Sequence, residues 1–131
     1  MKLLLDTHTF IWFIEGNKSI SKKALALIED KSNDIFVSIV SLYEIAIKQK
    51  IGKLILSHSL QDFFVYAASE NITILPISES HLLEYYNIPL IAEHKDPFDR
   101  LIIATASSQK LDIITIDAQF SNYSNLVNII W

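Results

Sequence analysis

The sequence predicts an α/β fold, a three-layer α/β/α sandwich around a mainly parallel central sheet, and three observations lead there. Short unbroken apolar runs, beginning with Leu3-Leu4-Leu5, have the pattern of strands buried on both faces. These runs alternate with helical patterns of about ten residues, long enough for right-handed crossovers between parallel strands. No repeat, linker or low-complexity tract interrupts the 131 residues. One domain over 1–131 is therefore expected, burying roughly two thirds of its unfolded surface.

Lys2-Leu3-Leu4-Leu5 forms the first strand and ends on Asp6. Thr7-His8-Thr9 opens a helix through Phe10-Ile11-Trp12-Phe13-Ile14, which Gly16 stops because glycine accepts the left-handed cap conformation. Ser19 or Ser21 caps a second helix, Lys22 to about Lys31. Residues 34–39 read as the next strand after the Ser32-Asn33 turn signal. Ser41-Leu42-Tyr43-Glu44 has the S-x-x-E form of a capping box, so a third helix is expected to start there and stop near Gly52. Ser57 or Ser59 starts a fourth helix, Leu60 to Glu70, and Ile72-Thr73-Ile74-Leu75 is a strand closed by Pro76. A fifth helix spans 78–86. Asp96 is a good N-cap and Pro97 suits the first helical position, where an N–H would be unpaired anyway, so a sixth helix begins there. Strands over 112–116 and 127–130, joined by a turn at 121–125, finish the chain.

Composition narrows the function classes. The absence of cysteine excludes disulfides, thiolate metal sites and a cysteine nucleophile. No signal-peptide pattern or membrane span is visible, so a soluble, cytoplasmic protein is expected. The formal net charge is −4, and Arg100 is the single arginine, so any polyanion must be bound locally. Half the residues are hydrophobic, more than a lone domain readily hides, which points to a protein partner. Trp12, Phe13, Phe63, Phe64 and Tyr66 lie on helices apolar on too many sides and suit that contact, or an unusually wrapped core.

Parallel sheets place their sites beyond the carboxyl ends of the strands. Asp6 ends the first strand, Asp117 follows the fourth, and Glu44 lies near the start of the helix after the second. Asp99 starts the helix that feeds the fourth strand, on the same face as Ile102, Ile103 and Ala106. Each acid alone is explained by capping or, for Glu44, by pairing with Lys48. Together, four carboxylates at one sheet edge suit Mg²⁺ or Mn²⁺, hard cations that take oxygen ligands. Such ions serve phosphate chemistry, and without P-loop glycines a nucleic acid is the better substrate. Lys48, Lys50, Lys53, Lys95 and Arg100 are the candidate contacts to its backbone. His8, His58, His81 and His94 lack metal-ligand spacing and read as surface or partly packed.

Four segments carry a resemblance across nearly the whole chain: Leu4-Leu5-Asp6-Thr7-His8; Ser41 to Lys48 with Ile51-Gly52-Lys53-Leu54; His94 to Ala104; and Ile114-Thr115-Ile116-Asp117. In this order they resemble the PIN-domain family, and within it the VapC-type toxins of toxin-antitoxin pairs. The resemblance implies a PIN-like fold and a Mg²⁺- or Mn²⁺-dependent endoribonuclease that is usually dimeric and inhibited by a cognate antitoxin. It assigns metal-binding and catalytic roles to Asp6, Glu44, Asp99 and Asp117, with Thr7 and Thr115 as hydroxyl positions beside them. Asp96 also belongs to the subgroup's pattern, though capping is a sufficient role for it. One alternative is a phosphatase of the haloacid dehalogenase type, whose nucleophile strand Leu3-Leu4-Leu5-Asp6 resembles; His8 stands where that family has a second aspartate. The other is a nonenzymatic PIN-like binding module.

Overall fold

The computed structural model describes residues 1–91 and 96–131. Five strands, β1 (Lys2–Leu5), β2 (Asp34–Ser38), β3 (Ile72–Leu75), β4 (Asp112–Ile114) and β5 (Ile129–Ile130), form one sheet in the order β3-β2-β1-β4-β5, and every pairing is parallel. Helices α1 (Thr7–Glu15), α2 (Lys22–Glu29), α3 (Ile39–Lys50), α4 (Leu60–Ser69), α5 (Glu79–Asn87) and α6 (Pro97–Gln109) connect them, with a 3-10 helix over Ala118–Tyr123.

The central place of β1 explains its unbroken apolar run. Leu3 and Leu5 face Phe10, Ala24, Ile45 and Phe63, whereas Leu4 faces Ile102, Ile103 and Phe120. A strand with a core on each side has no polar face to alternate with. These two cores, one beneath α1 to α4 and the other beneath α5 and α6, make the three layers.

The chain leaves β1 outward to β2 and β3, then crosses back to β4 and β5 on the other side. The strand order thus reverses between β1 and β4, and the crevice beyond their carboxyl ends is the sheet's switch point.

Local boundaries differ from expectation in several places, among them β4, expected over 112–116, which ends at Ile114. Residue Ser38, not Ser41, caps α3: its hydroxyl accepts the Val40 N–H at 3.1 Å, so the helix starts three residues early. The β-branched pair Ile39-Val40 gave that first turn a strand-like pattern. At α2 the helix ends at Glu29 because Asp30 turns its carboxylate onto the Ser32 N–H and hydroxyl. The turn at 121–125 is largely replaced by the 3-10 helix, which leaves β5 only two residues long. Gly16 does stop α1, at a φ of 66° that a side chain would strain.

Candidate functional site

Asp6 occupies the switch point because it is at once the residue after β1 and the N-cap of α1. Its Oδ1 accepts the Thr9 N–H at 2.8 Å, and its Oδ2 accepts the Thr115 hydroxyl at 2.5 Å. Its own N–H extends the sheet to the Ile114 carbonyl. The carboxyl is only 3% exposed, and this burial pushes its pKa above 3.8 despite the Thr115 and Thr9 hydrogen bonds and the charge of His8.

Two threonines then tie other acids to this point. Thr7, next to Asp6, donates its hydroxyl to Glu44 Oε1 at 2.9 Å and is also hydrogen-bonded to Ser41 Oγ. Glu44 itself is 4% exposed, one turn into α3. Thr115, while donating to Asp6, accepts the backbone N–H of Asp117 at 3.0 Å. Asp117 caps the 3-10 helix through the Gln119 N–H.

Asp99 lies in the first turn of α6. Asp96, exposed, caps that helix by accepting the Phe98 and Asp99 N–H groups at 2.9 and 3.3 Å. Phe98 sets its ring edge-to-face on Tyr43, 5.8 Å between centroids, so the neighbours of Asp99 and Glu44 meet where α6 packs on α3. Among the described residues, no three His, Asp or Glu side chains are gathered closely enough to form a ready cage for an ion. The acids at β1, α3 and β4 are linked through Thr7 and Thr115 instead.

The donor set nevertheless fits a hard cation. It is all oxygen, and two of its carboxylates are already oriented by neutral hydroxyls, the arrangement that holds metal ligands in place. Glu44 also accepts a cation as it stands, the Lys48 ammonium at 2.7 Å from Oε2.

Residues 3–126 match the model of the PIN domain. The chain belongs to the PIN-domain family. Among solved structures, this PIN domain is similar to VapBC2 from Rickettsia felis bound to a promoter DNA fragment, with 19% identity and a TM-score of 0.72 over 99% of this chain and 98% of that one. It is also similar to DNA-bound VapBC from Salmonella typhimurium (17% identity, TM-score 0.68, 99% and 97% covered) and to FitAcB from Neisseria gonorrhoeae (19%, 0.64, 98% and 96%). At these identities the likeness is one of fold. No curated protein sequence matches the chain.

One cation of this PIN domain is placed differently from expectation. Arg100 is 2% exposed: its guanidinium donates to the Pro89 and Ile88 carbonyls and to the Tyr123 hydroxyl, and lies over the Tyr85 ring. It clamps the end of α5 to α6 and is not a surface for a polyanion. The acceptors of that clamp lie 11 to 23 residues away in sequence, so no local pattern distinguishes Arg100 from a surface charge. Lys48 holds Glu44, Lys50 and Lys53 are exposed, and Lys95, like His94, lies outside the described residues.

Among the other histidines, His81 is buried, closing a capping box with Ser78 and meeting Gln109. His8, where the phosphatase reading needs an acid, is exposed and packs edge-on to Trp12. A cluster not anticipated from sequence joins Glu15, Ser57 and His58 at the far end of α1. His58 stands between Ser57 and Ser59, the two candidate caps of α4, and its partner Glu15 is 43 residues away, so no local pattern points to the pair.

Of the helical aromatics, Phe63 is core, Trp12 and Phe13 are partly covered, and Phe64 and Tyr66 are exposed. Trp12, Phe13, Ile20 and Tyr66 help line a groove of about 560 Å³ between α1, α2 and α4. Among the described residues no helix is long and apolar enough to cross a membrane.

Proposed function

We propose that this PIN domain is a Mg²⁺- or Mn²⁺-dependent endoribonuclease, a VapC-type toxin acting in the cytoplasm as a homodimer and inhibited by a cognate antitoxin. The observation that carries the reading is the junction of Asp6 with Thr115 at the switch point, with Glu44 tied to the adjacent Thr7. Asp6, Glu44, Asp99 and Asp117 would hold the ion. A bound Mg²⁺ or Mn²⁺ supplies the acidity that generates hydroxide near neutral pH and offsets charge developing on the phosphodiester.

The chain's own residues prepare that chemistry. Thr115 and Thr7 fix the Asp6 and Glu44 carboxylates by hydrogen bonds, so little reorganisation is needed when substrate arrives. Asp96 sets the start of α6 and thereby the place of Asp99. Lys48 and Lys95 are the basic groups assigned to the RNA backbone. The partner reading draws on the groove between α1, α2 and α4 and on the exposed Leu82, Leu83 and Tyr86 of α5, and on toxin-antitoxin complexes among the similar structures.

The test is incubation of purified protein with structured RNA, with and without Mg²⁺, beside Asp6→Ala. Metal-dependent cleavage in wild type and its loss in the variant, by at least about a hundredfold, is the expected result. A phosphoryl-enzyme on Asp6 would mean a phosphatase, and RNA binding without turnover a binding module.

A further inference from the structure

Glu44 is a nearly buried carboxylate with both oxygens engaged, and the two partners differ in kind. Oε1 takes a neutral hydroxyl from Thr7 at 2.9 Å, which orients the group without compensating its charge. Oε2 takes the Lys48 ammonium at 2.7 Å. The pair is uneven: the Glu44 side chain is 5% exposed and that of Lys48 39%. The lysine therefore reaches in from solvent along α3 to a carboxylate that faces the switch-point site.

An i,i+4 pair on a solvated helix face contributes little and has no further consequence. Here the acid belongs to the candidate metal centre, so a divalent cation that takes Glu44 as a ligand must compete with the ammonium. Lysine suits such an exchange, because its charge is a compact head on a flexible four-carbon stem. An ammonium displaced from Glu44 would remain beside the site, where a phosphodiester needs positive charge.

We infer that Lys48 is the internal counter-ion of Glu44, a positioning residue that holds this carboxylate in the metal-free protein and turns to the RNA phosphate once a divalent cation replaces it. The inference rests on the metal-dependent ribonuclease reading. It requires Lys48 to oppose metal binding yet assist cleavage, whereas a purely structural lysine would move both in the same direction.

Calorimetric titration of the full chain with Mn²⁺ tests this on wild type, Lys48→Gln, Lys48→Arg, Lys23→Gln and the Glu44→Gln and Glu44→Gln/Lys48→Gln pair, alongside RNA cleavage at saturating Mn²⁺. Lys48→Gln is expected to bind Mn²⁺ about three- to fivefold more tightly while cleaving about tenfold more slowly. Lys48→Arg should keep the wild-type affinity. Lys23→Gln, the same charge change at an exposed position of α2, should alter neither property. In the Glu44→Gln background the Lys48 substitution should lose its effect on affinity. Equal or weaker Mn²⁺ binding by Lys48→Gln, with wild type binding normally, overturns the inference and leaves the nuclease reading standing. No Mn²⁺ binding by wild type overturns both.

Discussion

Two carboxylates bracket α1, and they are shifted in opposite directions. Asp6 at the start is buried among neutral donors, and its pKa is raised. Glu15, the last residue, is also pushed up by burial, but hydrogen bonds from Ser57 and His58 and the His58 charge outweigh that effect and leave its pKa below 4.5. The helix dipole alone would give the reverse, favouring an anion at the N-terminus and opposing one at the C-terminus. Immediate partners decide the matter. At Glu15 a histidine 2.9 Å away answers the charge, and the contact pins the 57–58 segment to the end of α1. At Asp6 hydroxyl and amide groups orient the carboxylate, but they do not outweigh the burial of its charge.

The largest test of this contrast is Asp6→Asn. An amide can keep the capping bond from Thr9 while removing the buried charge. Without metal, and with EDTA present, the variant should melt about 3 °C higher, equivalent to about 1 kcal/mol. RNA cleavage should nevertheless fall by at least about a hundredfold, and added Mg²⁺ should no longer raise its Tm. A lower metal-free Tm would make Asp6 a structural cap of the same kind as Glu15's latch.

Thr115→Val comes next. It removes the hydroxyl that joins Asp6 to the Asp117 backbone and conserves shape. Loss of such an orienting bond should lower Mg²⁺-dependent cleavage about 10- to 100-fold, measured with Mg²⁺ titrated to saturation. An unchanged rate would mean that Asp6 needs no orienting partner.

Much of this arrangement was legible because periodicity and capping chemistry are local. The run Leu3-Leu4-Leu5 gave a buried parallel strand, Gly16 gave a helix stop, and Asp96-Pro97 gave a helix start. Asp6 and Asp117 were placed at one edge by strand ends alone. What escaped depends on long-range contact. Ser41 read as a cap, but it is buried inside α3 against Thr7, a partner 34 residues away. Arg100 read as a surface cation, although its acceptors lie on the end of α5 and on Tyr123. The Glu15–His58 contact spans 43 residues, with no local pattern to announce it.

The smallest expected effect is also the one that separates the two ends of α1 by sign. The folded pKa of Glu15 lies below 4.5, so its contribution to stability is present above that pH and is lost as pH falls through the folded value. Asp6 is the opposite case. Its folded pKa lies above 3.8, so its favourable contribution exists below that pH and is lost as pH rises through the folded value. Glu15→Gln should therefore cost about 1 kcal/mol near neutral pH, from the weakened hydrogen bonds to Ser57 and His58, with its deficit closing as the solution is acidified. Asp6→Asn should show its metal-free advantage growing as pH rises above 3.8. Melting curves of wild type and both variants between pH 3 and 7, taken in EDTA, read the two slopes directly. Parallel profiles would mean that burial, rather than the partner at each end, sets both carboxylates. Glu15→Gln should also leave the Mg²⁺ dependence of cleavage intact, since its latch lies at the opposite end of the helix from Asp6.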